Sequence, residues 1–196
     1  MKETSNQSCL FVVDMINGFV KEGPLSDLAI CSIIKPIEQI IKDFKQKNYP
    51  IVAFCDAHQE DSKEFEAFLP HCIEGTKESE LIDEFLPYQD DMVMIKKNST
   101  NGFLAPDFIK WFKKQPVYKN YIITGCVTDI CVLQLAASMI GYVHQHNLDA
   151  KVIISKNTSE TFEIENHPRE SFNFMATTLL AQLGVLVYDT IDYSTL

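Results

Sequence analysis

Residues 120–147 read NYIITGCVTDICVLQLAASMIGYVHQHN and give the clearest indication of the fold. The first five of them, NYIIT, are rich in apolar and β-branched residues, as expected of a buried strand. Gly125 opens a short turn, and residues 129–147 follow as a predicted helix. A strand that turns directly into a helix is the repeating unit of a parallel α/β sheet, so this stretch predicts an α/β fold.

The rest of the chain repeats this alternation of strands and helices. Further strands are predicted at residues 9–14, 51–56, 92–95, 151–155 and 185–188. Further helices are predicted at residues 32–47, 78–85, 106–114 and 168–183. Six strands joined by five crossovers indicate a doubly wound, mainly parallel six-stranded sheet with helices on both faces. We expect one domain over residues 1–196, with functional loops at 58–77 and 156–167.

The composition limits the classes of partner that this chain is expected to bind. It has 17 Lys and Arg against 27 Asp and Glu, a formal net charge of −10 that repels nucleic acid and anionic membranes. The N-terminus lacks the pattern of a signal peptide, and no apolar run approaches the roughly 20 residues of a membrane span. The six cysteines include no CxxC pair, which favours buried thiols in a reducing compartment. We therefore expect a cytoplasmic protein that binds neither nucleic acid nor membrane.

Ionisable side chains stand where the predicted strands end. Asp14 and Asp56 close the first two strands, Lys97 follows the third, and Cys131 lies in the first turn of the helix after the fourth. Ligands bind beyond the carboxyl ends of parallel strands, so these residues are candidates for one site. A helix N-terminus lowers the pKa of a thiol, which would make Cys131 a nucleophile whose proton Asp14 can accept. The alternatives are a buried apolar Cys131, a turn-capping Asp14 and a solvated Lys97.

A second group of residues has the spacing of a metal site. Asp56 and His58 are two residues apart at a strand end, so their side chains point to the same side. His71 in the following loop is a candidate third ligand, and Glu64 is a candidate fourth. Carboxylate and imidazole ligands suit zinc, iron and manganese. The alternative is a set of hydrogen-bonded loop residues without a metal.

Five segments, in order along the chain, match a known family. They are VVDMINGFV at 12–20, FCDAH at 54–58, LPHCIEGT at 69–76, KNSTNGF at 97–103 and TGCVTDICV at 124–132. With these segments the chain resembles the cysteine hydrolases of the isochorismatase superfamily, and among them most closely the nicotinamidases. The resemblance implies a catalytic triad of Asp14, Lys97 and Cys131. Lys96 is the alternative for the lysine of the triad. We favour Lys97 because of the spacing between Lys97 and residues 101–103.

The resemblance also implies what surrounds the nucleophile. A cis peptide bond is expected between Cys126 and Val127, and the backbone N–H groups of Val127 and Cys131 would form an oxyanion hole. Cys126 itself is then a structural residue.

The metal site and the substrate pocket follow from the same resemblance. One divalent ion that holds the pyridine nitrogen of the substrate is expected, with zinc first and iron or manganese as alternatives. Its implied ligands are Asp56, His58, His71 and Glu64. The rings implied to bind the substrate are those of Phe19, Phe68 and Phe103. For each ring, ordinary core packing is the alternative.

The activity implied by the resemblance is the hydrolysis of a small-molecule carboxamide. A nicotinamidase-type amidohydrolase would convert nicotinamide into nicotinate and ammonia through a thioester on Cys131. The alternatives are another amidase or ureidohydrolase of the superfamily with the same triad, and a catalytically silent binding protein. A homo-oligomer is expected, as is common in this superfamily. His144, His146 and His167 are interpreted as capping or exposed residues.

Overall fold

A computed structural model of the chain describes residues 4–192, which form a parallel sheet covered by helices. The strands are β1 (Thr4–Val13), β2 (Ile51–Asp56), β3 (Met92–Lys97), β4 (Val117–Cys126), β5 (Lys151–Glu160) and β6 (Leu186–Tyr188). The α-helices are α1 (Asn17–Val20), α2 (Ile34–Gln46), α3 (Pro106–Lys114), α4 (Leu133–Gln145) and α5 (Arg169–Gln182). The single-domain extent of 1–196 stays a prediction, and its two ends lie outside the described residues.

The six strands follow the order β3-β2-β1-β4-β5-β6, and every neighbouring pair is parallel. The chain starts at the centre with β1, moves outward through β2 and β3, and returns to the other side of β1 with β4. The direction of winding therefore reverses between β1 and β4. Their carboxyl ends diverge at such a reversal and open a crevice in which ligands bind. The predicted doubly wound fold is confirmed.

Both faces of the sheet are covered by apolar helix surfaces. On one face α2 buries side chains that recur every three or four residues, namely Ile37, Ile40, Ile41 and Phe44. On the other face α3, α4 and α5 pack over a second core that includes Phe108, Leu135, Met139 and Leu180. The strands are buried from both sides, which explains their nearly continuous apolar runs. This packing holds the strand ends, and the loops that follow them, in fixed positions.

The predicted helix at residues 78–85 is wrong. Leu81 and Ile82 are buried there, but the backbone of the segment bonds to the chain after β1. The N–H of Ile82 donates to the carbonyl oxygen of Met15 at 3.2 Å, and the N–H of Asn17 donates to that of Glu80 at 3.0 Å. These non-local partners replace the i to i−4 bonds of a helix. Only short 3₁₀ turns remain nearby, at Lys77–Ser79 and Leu86–Asp91.

Two boundaries on the carboxyl side of the sheet also differ from prediction. The first five residues of the predicted loop 156–167 continue β5, whose register against β4 shifts so that Gly125 pairs with Ser159. The helix predicted from residue 129 begins as a wide π-helical turn, Thr128–Val132, and becomes α-helical at Leu133. Both irregularities lie beside Cys131, and π-helical turns are frequent at functional sites.

The cysteines and the lengths of the helices complete the description of the fold. All six cysteines, which lie within the described part of the chain, are free thiols, and five of them are buried. Across residues 4–192, no helix combines the length and apolar character needed to cross a membrane.

Gly125 is expected to be indispensable to this fold. Its φ is +110°, and a β-carbon there would lie 2.0 Å from the carbonyl oxygen of Val13 on the adjacent strand. We expect Gly125→Ala to lower the free energy of unfolding by about 3 kcal/mol or more, measured by urea denaturation. Gly141→Ala is the matched control, because open space surrounds Gly141 within α4 and alanine should stabilise the helix by about 0.5–1 kcal/mol. Equal stabilities of the two variants would contradict this account.

Candidate active site

Three reactive side chains from distant parts of the chain meet at the carboxyl edge of the sheet. Asp14 follows β1 with a left-handed φ of 51°, Lys97 is the last residue of β3, and Cys131 lies in the π-helical turn after β4. The three are almost completely buried. They stand at the reversal of the winding order, where sheets of this type bind ligands.

Lys97 links the acidic groups to the thiol. Its Nζ lies 2.9 Å from Oδ2 of Asp14, 2.5 Å from Oδ1 of Asp56 and 3.7 Å from Sγ of Cys131. The backbone N–H of Asp56 donates to Oδ1 of Asp14 at 3.0 Å, which fixes the first carboxylate against the second. Lys96 points away from this group and forms an exposed ion pair with Glu74.

The two carboxyl groups around Lys97 have different proton affinities. Burial, and secondarily the charge of Asp56, raises the pKa of Asp14 to about 7, although the Lys97 ammonium opposes the shift. Burial acts in the same direction on Asp56, but Lys97 and His58 outweigh it and hold the pKa of Asp56 below its usual value. When the environment moves the pKa values of two neighbouring groups in opposite directions, the two groups can be assigned different acid–base roles. Asp14 is therefore the group suited to exchange a proton near neutral pH, while Asp56 stays ionised.

The expected lowering of the Cys131 pKa is wrong. Complete burial raises the pKa of this thiol well above its usual value, and the attraction of Lys97 only partly offsets that cost. The first turn of the following helix is also π-helical, so Cys131 does not occupy a regular helix N-terminus. The resting sulfur therefore carries its proton, and a neighbouring base has to remove it.

Four potential metal ligands surround a point next to this triad. Asp56, His58, Glu64 and His71 each offer an atom, and these atoms lie within 4.8 Å of one another. Nε2 of His58 is 3.5 Å from carboxylate oxygens of both Asp56 and Glu64. Nε2 of His71 is 3.9 Å from the same two groups. These separations leave space for an ion at the centre.

The protonation of the two histidines suits a cation. Nδ1 of His58 lies 3.0 Å from the side-chain oxygen of Asn98, and Nδ1 of His71 lies 2.8 Å from the carbonyl oxygen of Leu69. Both contacts favour a proton on Nδ1, which leaves each Nε2 available to present a lone pair to a cation at the centre. Nε2 of His58 and Oδ2 of Asp56 are buried without a hydrogen-bond partner. Buried polar atoms normally have a partner, and a divalent cation would provide it.

Glu64 is also held in place for this role. Its Oε2 accepts a hydrogen bond from the backbone N–H of Thr100 at 2.8 Å, and its Oε1 faces the two histidines. A further acid–thiol cluster of Asp14, Asp56 and Cys131 is already filled by the Lys97 ammonium. The donor set around His58 therefore fits a metal ion better than that cluster does.

A small apolar cavity joins the thiol to the metal-ligand cluster. Its wall includes Cys131 and Val127 together with three residues of the metal-ligand cluster, Asp56, Glu64 and His71. The remaining lining side chains include apolar residues from four separate segments, namely Phe19, Leu25, Phe68, Ile130 and Phe162. Apolar and aromatic walls of this kind suit a flat ring.

The structure changes the aromatic set expected from the sequence. Phe19 and Phe68 line the cavity as expected, whereas Phe103 packs against Phe108, Phe112 and Tyr142 in the core beneath α3. Phe103 is therefore removed from the substrate-binding set. Phe162, which the sequence did not single out, takes a place in the wall instead. Its position in the loop after β5, near the carboxyl edge, was the available signal.

The backbone and histidine predictions near the nucleophile have mixed outcomes. The expected cis peptide bond between Cys126 and Val127 is present, and Cys126 donates from its thiol to the carbonyl oxygen of Asp14 at 3.0 Å.

His144 and His146 are exposed at the end of α4, as expected. His167 is buried and bonded to Asp129, so its interpretation as a capping or exposed residue is wrong.

Comparison with known proteins agrees with this architecture. The isochorismatase domain model matches residues 8–184, and the chain belongs to the isochorismatase family. Nicotinamidase 1 of Arabidopsis thaliana is 25% identical, over 95% of this chain and 87% of the relative. A protein named a probable inactive nicotinamidase, from the same plant, is 24% identical over 68% of this chain and 73% of its own length. The pyrazinamidase of Pyrococcus horikoshii, solved in complex with zinc, superposes with a TM-score of 0.75 at 23% identity, covering 94% of this chain and 99% of that one.

Proposed function

We propose that this protein is a nicotinamidase-type amidohydrolase, which hydrolyses nicotinamide to nicotinate and ammonia. One observation carries the proposal, namely that a single, mainly apolar cavity is lined by both the Cys131 thiol and residues of a buried metal-ligand cluster. A flat heteroaromatic carboxamide suits such a lining, because its ring would contact the apolar wall while its carboxamide meets the thiol and its ring nitrogen meets the metal-ligand cluster. Phe19, Phe68 and Phe162 are the proposed ring-binding residues.

The proposed reaction uses Asp14 as a proton carrier. Asp14 accepts the proton of the Cys131 thiol while the sulfur attacks the carboxamide carbon. The backbone N–H groups of Val127 and Cys131 stabilise the oxyanion that forms, at about 3 kcal/mol for each donor. The C–N bond then breaks, and the nitrogen leaves as ammonia with the proton from Asp14. Lys97 remains charged throughout and holds the two carboxylates in place.

The second half of the reaction releases the acid. Asp14, again ionised, takes a proton from a water molecule whose oxygen attacks the thioester carbon. The carbon–sulfur bond breaks, the Cys131 sulfur recovers its proton, and nicotinate departs. A pKa of about 7 suits Asp14 to both roles, because a group that alternates between base and acid works best near the ambient pH.

The four donors Asp56, His58, Glu64 and His71 would hold one divalent ion, with zinc first and iron or manganese as alternatives. When bound, this ion would supply a Lewis-acid contact for the ring nitrogen of the substrate. The side chain of Asn98 and the carbonyl oxygen of Leu69 fix the orientation of the two imidazole rings, and so the direction in which His58 and His71 would bind the ion.

The cavity wall also argues against the alternatives. A carbamoyl amino acid carries a carboxylate, which needs a cationic partner when buried. The residues described as lining the cavity include no lysine or arginine, and Lys97 behind it is paired with two carboxylates. A silent binding protein has no need of a thiol, a carboxylate and an ammonium group in contact. A homo-oligomer and a cytoplasmic location stay predictions.

An ammonia-release assay on the metal-loaded protein tests this function. We expect turnover of nicotinamide and pyrazinamide, and none of N-carbamoyl amino acids. Faster release from a carbamoyl compound would assign the protein to the ureidohydrolases. Absence of release from every compound at saturating concentration would favour the silent binding protein.

Replacement of His71 should remove metal and substrate affinity together. We expect His71→Ala to weaken binding of Zn²⁺ by at least about 100-fold in competition with a chromogenic chelator, because a ligand with a fixed ring orientation is lost. Nicotinamide should bind more weakly to the same variant in calorimetry. His146→Ala is the control, since His146 is exposed and distant from the cluster. Unchanged zinc affinity in His71→Ala would place the metal elsewhere.

A further inference from the structure

We propose that His167 is a positioning residue that fixes the Phe162 wall of the cavity to the turn carrying Cys131. The inference rests on the proposed function for the identity of the ligand, but its structural basis is independent of it. His167 lies on the loop between β5 and α5 and is 8% exposed. Nothing in the proposed chemistry uses it, although it is buried and bonded at both ring nitrogens.

The two hydrogen bonds of His167 join two separate segments. Nε2 lies 2.8 Å from Oδ2 of Asp129, and Nδ1 lies 3.0 Å from the carbonyl oxygen of Phe162. Both ring nitrogens therefore face acceptor oxygens, one of which belongs to a carboxylate. The other oxygen of Asp129 accepts a hydrogen bond from the hydroxyl of Thr161 at 2.5 Å. Asp129 stands two residues before Cys131 in the π-helical turn, so the loop is bonded directly to the nucleophile's own turn.

The ring faces of His167 fix the position of Phe162. The imidazole is stacked on the Phe162 ring at 4.2 Å between centroids with a 17° interplanar angle. Its other face is stacked on Phe172 at 3.6 Å. A ring stacked between two aromatic rings packs against both of them and limits their movement. Phe162 is therefore held from its backbone carbonyl and from its ring, and this ring forms part of the cavity wall.

Other charged groups secure the outer side of the loop. Arg169 donates from Nε to the carbonyl oxygen of Thr161 at 2.9 Å and forms an ion pair with Asp27 at 2.6 Å. It also lies 3.8 Å from Glu160 and 3.4 Å from Glu163. These contacts attach the loop to α5 and to the chain before α2, whereas His167 and Thr161 attach it to the turn of Cys131. Loss of His167 should therefore loosen the inner side while Arg169 retains the outer side.

Steady-state kinetics on the metal-loaded enzyme tests this role. We expect His167→Ala to raise KM for nicotinamide about tenfold, the size of effect of losing one charge-assisted hydrogen bond, with kcat changed less than KM. His167→Gln, whose amide NH2 group can replace one of the two hydrogen bonds, should recover part of the affinity. His144→Ala, at an exposed position, should leave both constants unchanged.

A double-mutant cycle separates positioning from a general structural role. If His167 acts through Phe162, then Phe162→Ala should raise KM by itself, and the double variant should be no worse than the worse single variant. If the increase in KM of the double variant equals the product of the two single increases, the two residues act independently and the proposal is overturned. An unchanged KM in His167→Ala would overturn it as well.

Hydrogen exchange without substrate distinguishes failure of this inference from failure of the proposed function. We expect faster exchange in residues 161–167 and in Thr128–Val132 of His167→Ala, or of His167→Gln if the alanine variant does not fold. Faster exchange in residues 161–167 alone, without a change in Thr128–Val132, would overturn the link between the loop and the turn that carries Cys131. If the unmodified enzyme does not hydrolyse nicotinamide, the exchange result alone decides the inference.

Discussion

Cys131→Ala is expected to abolish amide hydrolysis while leaving the fold and the metal site intact. The sulfur is the atom that would form the covalent intermediate, so kcat for nicotinamide should fall by about 10⁴-fold or more. Cys131 lies at the cavity wall, and its Sγ is 3.7 Å from Nζ of Lys97 without belonging to the metal-ligand cluster around His58. Ammonia release, thermal unfolding and zinc content measured on the same preparation test the three parts of this expectation.

Cys9→Ala is the matched control for that experiment. Cys9 is another fully buried thiol, but it lies in the middle of β1 and away from the carboxyl edge. Its loss should cost about 1 kcal/mol of stability with little change in kcat. Retention of the parental rate by Cys131→Ala would show that another group carries the reaction, and the thioester mechanism would then be wrong.

Lys97→Met is expected to lower both stability and activity. The change leaves the carboxylates of Asp14 and Asp56 buried side by side without their shared cation. Removing one partner of a buried ion pair costs about 3–5 kcal/mol, and kcat should fall by about 10³-fold because Asp14 loses its fixed position. Without the cation the carboxyl groups bind protons more tightly in the folded state. The lost stability should therefore be largest at about pH 8 and should diminish as the pH falls toward about 5.

Lys96→Met provides the control from the neighbouring position. The Lys96 side chain is exposed and paired only with Glu74, so its loss should change stability by less than about 1 kcal/mol and leave kcat unchanged. Urea denaturation at the two pH values and ammonia release measure both effects. A larger loss of activity in Lys96→Met than in Lys97→Met would reverse the assignment of the two lysines.

The sheet and the group of residues at its edge could be predicted from the sequence for a simple physical reason. Strands buried on both faces have nearly uninterrupted apolar runs, so a charged residue at the end of a run stands out. Asp14, Asp56 and Lys97 were visible in this way, and parallel pairing places their ends on one edge. The prediction required only that consecutive strands be parallel, which the alternation of strands and helices indicates.

Features that depend on contacts between distant segments were not predictable. The segment 78–85 has a helix-like pattern, but Asn17 and Met15 supply backbone partners that only the folded chain brings near. The pKa of Cys131 was misjudged because helix position can be inferred from sequence, whereas complete burial cannot. Phe162 was missed for a related reason. Its place in the cavity wall depends on a histidine that bonds to a carboxylate 38 residues earlier in the chain.

A crystal structure of the metal-loaded Cys131→Ala variant with nicotinamide would show at once how thiol position, ring and metal are arranged. We expect the carboxamide carbon next to the β-carbon of residue 131 and the ring between Phe19 and Phe68. We also expect the pyridine nitrogen on an ion held by Asp56, His58, Glu64 and His71. A carboxamide directed away from residue 131, or a metal bound at other side chains, would contradict this expectation.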